Sequence, residues 1–213
     1  MLGKFTDFEM PDLTQREKVA RYISIFLVPP AVTAITFTVL VLAYQHGSIF
    51  HKFLVWLIAV AFSGGIQISY VLYLYQHGKV RDYDVPQREN RTPHYLISAG
   101  ISLLGFFLLL YLEASLYIWG LMLIQVVNTL VIAGINSKWK ISAHMMGLCA
   151  PVVLLVPLFG EWTLLLIPIA FILGWARITA KVHTLMQVVA GGLTGFLLTT
   201  LELYLLLEFA VAA

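Results

Sequence analysis

Charged side chains are scarce in this chain, and their scarcity decides its class. Only 11% of the 213 residues are Asp, Glu, Lys or Arg, whereas soluble domains carry about 25%. Hydrophobic residues make up 60% of the chain. No long polar stretch separates the apolar segments, so we expect no separate soluble domain. The composition therefore predicts an integral membrane protein.

Cysteine is nearly absent as well. The single cysteine, Cys149, lies in an apolar run and has no second thiol in the chain, so an internal disulfide is excluded. The N-terminal segment lacks the basic region, apolar core and small-residue cleavage site of a signal peptide. We expect residues 1–21 to form a polar cytosolic tail, with a short amphipathic helix that starts near Pro11 and Asp12.

The apolar segments are long enough to cross a membrane as helices. We predict an all-α fold, a polytopic transmembrane helical bundle of six to seven spans, formed by residues 22–213 as one domain. Pro29 and Pro30 should kink the first span, and Gln125 and Asn128 should make hydrogen bonds between helices. The predicted spans cover residues 22–44, 53–75, 95–112, 116–135, 141–157, 164–175 and 182–207.

Basic residues fall almost entirely on one side of the predicted membrane. With seven crossings, the N-terminal tail and the loops after the second, fourth and sixth spans share one side, which carries 12 of the 13 Lys and Arg residues. The other side carries only Lys52, together with Glu113, Glu161 and Glu208. Because positive residues concentrate in cytoplasmic loops, we expect the basic side and the N-terminus to face the cytoplasm, at a cell inner membrane.

Three polar islands meet on this basic side, at residues 81–93, 138–144 and 177–187. They supply guanidinium and ammonium groups, a serine and two histidines. Arginine binds phosphate oxygens through paired hydrogen bonds, and a helix that starts at Ser142 offers free backbone N–H groups to an anion. One histidine could attack phosphorus while the other protonates the leaving oxygen. The islands therefore predict a phosphate site at the water–lipid boundary.

The third island carries the most informative spacing. If the chain is helical from about Lys181, His183 and Gln187 lie four residues apart on one face. The amide oxygen of Gln187 could then accept a proton from one imidazole nitrogen and orient the other outward. Arg177, Lys181 and His183 also fit ordinary interfacial anchors of a membrane helix, and this alternative stays open.

These residues resemble the type 2 phosphatidic acid phosphatase superfamily, the membrane relatives of vanadium haloperoxidases. The third motif of that family, Ser-Arg-x5-His-x3-Asp, corresponds to residues 176–187, with Ala176 for the serine and Gln187 for the aspartate. The second, Pro-Ser-Gly-His, corresponds to Ile141-Ser142-Ala143-His144. In the first, Lys-x6-Arg-Pro, Arg91 matches the arginine, Pro93 is displaced by one residue, and Asp84 stands where the lysine is expected.

The resemblance implies a role for each matching residue. His183 would be the nucleophile that forms a phosphohistidine, His144 the general acid and then base, and Gln187 the group that orients His183. The phosphate oxygens would be held by Arg91, Arg177, Ser142 and, as an additional contact, Arg88. The family uses no metal or cofactor, and the sequence contains no metal-ligand cluster.

Two functions fit this reading. The first is a hydrolase of lipid phosphates or polyprenyl diphosphates, with the lipid and the bilayer as its partners. The second is a family member that kept the fold and lost the chemistry, as a lipid-phosphate binder or a subunit of a membrane complex; Ala176, Gln187 and Asp84 favour it. A phosphotransferase of another fold is disfavoured, because Asp82 and Asp84 form only one sparse pair of the kind that holds magnesium there. We expect no nucleic-acid partner, and a homo-oligomer stays open.

Overall fold

Helices form the regular structure of the described chain. The computed structural model describes residues 13–78 and 88–212, and of residues 88–90 it describes the backbone only. These ranges contain no strand. The prediction of an all-α bundle is confirmed. The α-helices in these ranges are α1 (Gln15–Phe26), α2 (Pro29–Tyr44), α3 (Ile49–Val60), α4 (Ile66–Gln76), α5 (Arg88–Tyr111), α6 (Leu116–Lys138), α7 (Ala143–Phe159), α8 (Leu166–Thr179) and α9 (Leu185–Ala212).

Five helical stretches of the described chain are long and apolar enough to cross a membrane, and the bent pair α1–α2 makes up to six. The chain is therefore an integral membrane protein. α7 has 17 residues, about 26 Å at the helical rise, and is shorter than a typical span. The five stretches are Ile49–Gln76, Arg91–Tyr111, Leu116–Lys138, Glu161–Thr179 and Leu185–Ala212.

Two of the crossings contain irregular turns. α3 and α4 are joined by a π-helical turn, Ala61–Gly65, and α8 follows a 3-10 turn, Glu161–Leu165. Pro29 and Pro30 occupy the first two positions of α2, after a bend of 42° from α1. Proline lacks a backbone N–H and is tolerated in the first turn of a helix, so the predicted kink is a break between two helices.

The predicted hydrogen bonds between helices are present in the bundle interior. The side-chain amide of Gln125 donates to the backbone oxygen of Ser63 at 2.7 Å, and that of Asn128 donates to the Thr199 hydroxyl at 3.1 Å. These bonds tie α6 to the π-helical turn and to α9. Polar side chains can join helices in this way where no water competes for them.

Several helix boundaries differ from the prediction. α6 continues through residues 136–138, which the predicted fourth span left out, and α9 begins at Leu185, three residues after the predicted start. α1 begins at Gln15, with Thr14 as its N-cap, and crosses the boundary drawn at residue 21. The proposed start at Pro11 and Asp12 lies outside the described residues.

We call the basic end the group of helix ends formed by the starts of α1, α5, α7 and α9 and the ends of α6 and α8. The Asn136 side-chain amide donates to the Thr92 hydroxyl at 3.2 Å, which joins α6 to α5. Other bonds link α7 to α9 and α1 to the turn after α8. The Ser142 N–H donates to the backbone oxygen of Gln187 at 3.2 Å, and the Lys181 ammonium pairs with the Glu17 carboxylate at 2.8 Å.

Candidate functional site

His183 lies in the turn between α8 and α9, and its ring is held by Gln187. Nδ1 of His183 is 3.0 Å from Oε1 of Gln187, and the same oxygen accepts the Thr184 N–H at 3.2 Å. The Gln187 N–H in turn donates to the Thr184 hydroxyl at 3.4 Å. This reciprocal pair is a capping box that starts α9. The predicted link between His183 and Gln187 is present, although its expected basis, a helix from Lys181, was wrong.

The capping box also assigns the protons on His183. A backbone N–H can only donate, so the Gln187 atom that faces Thr184 must be the amide oxygen. Nδ1 of His183 faces that same oxygen and must therefore carry the ring proton in the neutral imidazole. Nε2 is left with its lone pair, which is the form in which a histidine can act as a nucleophile.

The turn that carries His183 is fixed to the end of α8. The backbone N–H groups of Val182 and His183 both donate to the Arg177 carbonyl oxygen at 3.3 Å. Lys181 adopts a left-handed backbone with φ of 57°, and its ammonium pairs with Glu17 on α1. The turn therefore holds His183 close to Arg177, and the ion pair joins the turn to α1.

Burial and neighbouring cations keep His183 neutral. Its side chain is 6% exposed, and burial lowers its pKa from 6.5 to about 3, with the positive charge of Arg177 as the second cause. The hydrogen bond to Gln187 opposes this shift, whereas the charges of Arg91 and Lys140 add to it. Three cations from three segments thus act on one imidazole, as expected if the islands form one pocket.

Ser142 and His144 lie at the start of α7, beside the start of α9. Ser142 is the N-cap of α7, where its hydroxyl accepts the Met145 N–H at 3.5 Å, and its own N–H donates to the Gln187 carbonyl. His144 is the second residue of the helix and is buried. A Cβ on Gly191 would lie 2.5 Å from the Ser142 oxygen. The absence of a side chain at Gly191 therefore permits the two helix starts to approach.

Two of the three predicted phosphate-binding arginines are buried at the basic end. Arg91, in the first two turns of α5, and Arg177, near the end of α8, are buried, with 5% and 2% of their surface exposed. Arg88 is the first residue of α5, but its side chain lies outside the described residues, as does all of Asp84. Arg88 therefore stays a prediction.

Sequence reasoning left out two residues of this end. Lys140 lies in the second island, but its action on His183 depends on how that loop folds back toward α9. Thr184 was detectable, because a threonine followed three residues later by glutamine before an apolar run is the signature of a capping box. Recognising it would also have placed the start of α9 at Leu185.

No protein-family model, curated protein or solved structure matches this chain. The family resemblance therefore rests on the motif residues alone, and the chemistry of the basic end has to indicate the function.

Proposed function

We propose that this protein is a metal-independent lipid phosphate or polyprenyl diphosphate phosphohydrolase that works through a phosphohistidine on His183. The observation that supports the proposal most is the state of His183. Its imidazole is neutral, its Nδ1–H points at Gln187, Nε2 keeps its lone pair, and the charges of Arg177, Arg91 and Lys140 act on the ring. A held, neutral imidazole among cations suits attack on an anionic phosphoryl group.

The reaction would proceed in two displacements. Nε2 of His183 attacks phosphorus, the bond from phosphorus to the lipid oxygen breaks, and protonated His144 gives its proton to the leaving alkoxide. Water then attacks the phosphohistidine while neutral His144 takes a proton from it, which releases inorganic phosphate and restores His183. The net reaction converts a lipid phosphate and water into a lipid alcohol and phosphate. With a polyprenyl diphosphate, the P–O–P bond breaks instead, the polyprenyl monophosphate is the leaving group, and the products are that monophosphate and phosphate.

The cations would act on the phosphate oxygens. Arg91 and Arg177 would bind the non-bridging oxygens through paired hydrogen bonds, and Lys140 would supply a further positive charge. Ser142 could donate its hydroxyl proton to the same group while its oxygen caps α7. The negative charge brought by the phosphate would also offset the mutual repulsion of the three cations.

Gln187 sets a limit on the rate. An amide orients the imidazole as the aspartate of the family motif would, but it does not neutralise the positive charge that the ring develops. The comparable change from aspartate to amide in serine proteases costs about 10⁴ in rate. We therefore expect slow turnover.

The basic end would face the cytoplasm of a cell inner membrane, with the N-terminus on the same side. The supporting argument is the charge distribution in the sequence, which with seven crossings places 12 of the 13 Lys and Arg residues on this side. The lipid headgroup would enter from the leaflet next to the cytoplasm.

Phosphate release in detergent with a chelator tests the enzyme. Phosphatidic acid, phosphatidylglycerophosphate and polyprenyl diphosphates serve as substrates. His183→Ala should abolish release, and Arg177→Gln should reduce it strongly. His77→Ala, at an exposed histidine at the end of α4, is the matched control and should leave it unchanged. Release that survives His183→Ala would rule out the phosphohistidine.

A non-catalytic phosphate binder is the second candidate, and the capping box favours it. The hydrogen bonds between Gln187 and Thr184 give this glutamine a structural role that needs no chemistry. The binder predicts retention of phosphatidic acid by the wild type without phosphate release, and weaker retention by Arg177→Gln. Turnover of any substrate that is lost in His183→Ala would instead establish the enzyme.

A further inference from the structure

A carboxylic acid lies within a candidate membrane span, at mid-depth between the two ends of the bundle. Glu202 is on α9, and its Oε2 is 3.2 Å from the side-chain nitrogen of Asn128 on α6. Asn128 is 12 residues from the start of α6 and 10 from its end, which places it roughly 18 and 15 Å from the two ends. Ionisable groups at such depth are costly and are functional candidates for that reason.

The hydrogen bonds around Glu202 are incomplete for an ionised carboxylate. Its Oε1 is buried and has no hydrogen-bond partner, and neither has Oδ1 of Asn128. The same Asn128 nitrogen also donates to the Thr199 hydroxyl at 3.1 Å. A carboxylate with a single neutral donor in an apolar setting is unstable, so a proton or a cation is needed to compensate it.

The helices packed against α9 supply no cation at this depth. α6, α7 and α8 contact α9, and their cationic groups lie in the last or first turns at the basic end. On α9 itself, Tyr204 and Glu208 lie beyond Glu202 and are exposed. The titratable side chains of the three packed helices are Tyr117 and Lys138 on α6, His144 and Cys149 on α7, and Arg177 on α8.

Asn128 can serve both protonation states of its neighbour. With Glu202 ionised, the amide nitrogen faces the carboxylate, as observed. Turning the amide by half a rotation places Oδ1 at that position, where it can accept the O–H of a protonated Glu202 and the O–H of Thr199. Uptake of a proton would thus give Oδ1 of Asn128, which now lacks a partner, a hydrogen-bond donor, and would remove the charge from the carboxyl group whose Oε1 has none.

A cavity borders Asn128, the partner of Glu202. It has a volume of about 210 Å³ and is lined by Asn128, Gln125, Gln67 and Ser63 together with other residues of α2, α5, α6 and α7. Oε1 of Gln125 is a further buried oxygen without a partner. Such a space holds several water molecules at about 30 Å³ each, and the few polar side chains of its mostly apolar wall offer them hydrogen bonds. Protons could therefore reach Asn128 through water.

We propose that Glu202 is a proton-binding site within the membrane, coupled to the orientation of the Asn128 amide and supplied with protons through this cavity. The site binds one proton to one carboxylate oxygen, and no other bond changes. It is separate from the phosphate site and does not depend on the phosphatase proposal.

Infrared spectroscopy of the purified protein at pH 7, in a detergent without ester or carboxyl groups, tests the site. A protonated-carboxyl stretching band that depends on residue 202 is the signature of the site. The near-isosteric Glu202→Gln should remove the band, and Glu208→Gln on the same helix should retain it. Asn128→Leu should move the band to higher frequency, because the carboxyl loses its hydrogen bond.

Exchange into D₂O then tests access through the cavity. The band should shift as the carboxyl proton is replaced by deuterium. The proposal is overturned if the wild type has no such band, if the band survives Glu202→Gln, or if it fails to shift in D₂O. The wild-type spectrum alone decides the first point, even if a variant does not fold.

Discussion

Oε1 of Gln187 lies 3.0 Å from Nδ1 of His183 and 3.2 Å from the backbone nitrogen of Thr184. One oxygen thereby starts α9 and fixes which nitrogen of the imidazole carries the proton. The structural and the chemical roles of Gln187 are therefore inseparable in a simple deletion. They separate only in a substitution that keeps the acceptor oxygen and changes its charge.

Gln187→Glu is that substitution. A glutamate completes a capping box as well as a glutamine does, so α9 should form normally. Its negative charge should raise the pKa of His183 and stabilise the charge that develops on the ring, so phosphate release should rise by on the order of tenfold or more. ¹⁵N NMR of labelled histidine and the release assay measure the two effects.

Gln187→Leu is the matched control, because it removes both roles at once. It should lower stability as well as activity, since the loss of a cap contact costs about 1 kcal/mol. A Gln187→Glu variant with wild-type stability and an unchanged His183 pKa would contradict the assigned hydrogen bond.

His183 should also make the stability of the protein depend on pH. Its pKa is about 3 in the folded chain, against 6.5 as the ordinary value. Between these values the unfolded chain binds more protons, so stability is full above pH 6.5 and falls as the pH drops toward 3, by up to about 1.4 kcal/mol per pH unit.

Thermal unfolding in detergent between pH 7 and pH 4 measures this dependence. The melting temperature of the wild type should decrease on acidification. His183→Gln should flatten the decrease, whereas His77→Ala should retain it. Equal slopes in the wild type and His183→Gln would show that His183 is not held neutral by the fold.

Features set by single side chains were the most predictable from the sequence. Pro29 and Pro30 mark the break before α2, because their rings and missing N–H groups act locally. Gln125 and Asn128 were expected to bond between helices, because a buried amide inside an apolar run has to find a partner.

Features that depend on a neighbouring helix were less predictable. Residues 136–138 read as a polar loop, but Asn136 is fully buried and bonded to Thr92, so the pairing of α6 with α5 extends the helix. Glu202 has a local signal that sequence reasoning missed, because a glutamate inside an apolar span is costly, whereas its pairing with Asn128 depends on another helix. The action of Lys140 on His183 likewise arises only when the second and third islands meet.

The left-handed backbone of Lys181 makes a prediction about the turn that carries His183. With φ of 57°, a β-branched residue at this position would be strained, whereas glycine would not. Lys181→Val should therefore lower the melting temperature by roughly 2–4 °C relative to Lys181→Gly. Both variants lose the ion pair to Glu17, so the comparison isolates the backbone. Equal melting temperatures would contradict the left-handed turn.

The contact of α7 with α9 at Gly191 links the stability of the bundle to the phosphate site. A Cβ there would lie 2.5 Å from the backbone oxygen of Ser142, which the helices can relieve only by moving apart. Gly191→Ala should therefore lower the free energy of unfolding by roughly 1–3 kcal/mol. It should also lengthen the hydrogen bond from the Ser142 N–H to the backbone oxygen of Gln187. Phosphate release should fall with it, because Ser142 and His144 would move away from His183.

Gly134→Ala on α6 is the matched control, since a Cβ at Gly134 meets no atom of the described chain within 4 Å. It should raise stability by about 0.4–1 kcal/mol through the unfolded state and leave phosphate release unchanged. Thermal unfolding and the release assay on both variants decide the matter. If Gly191→Ala is as stable and as active as Gly134→Ala, the two helix starts do not need their close contact, and the phosphate site is not built on it.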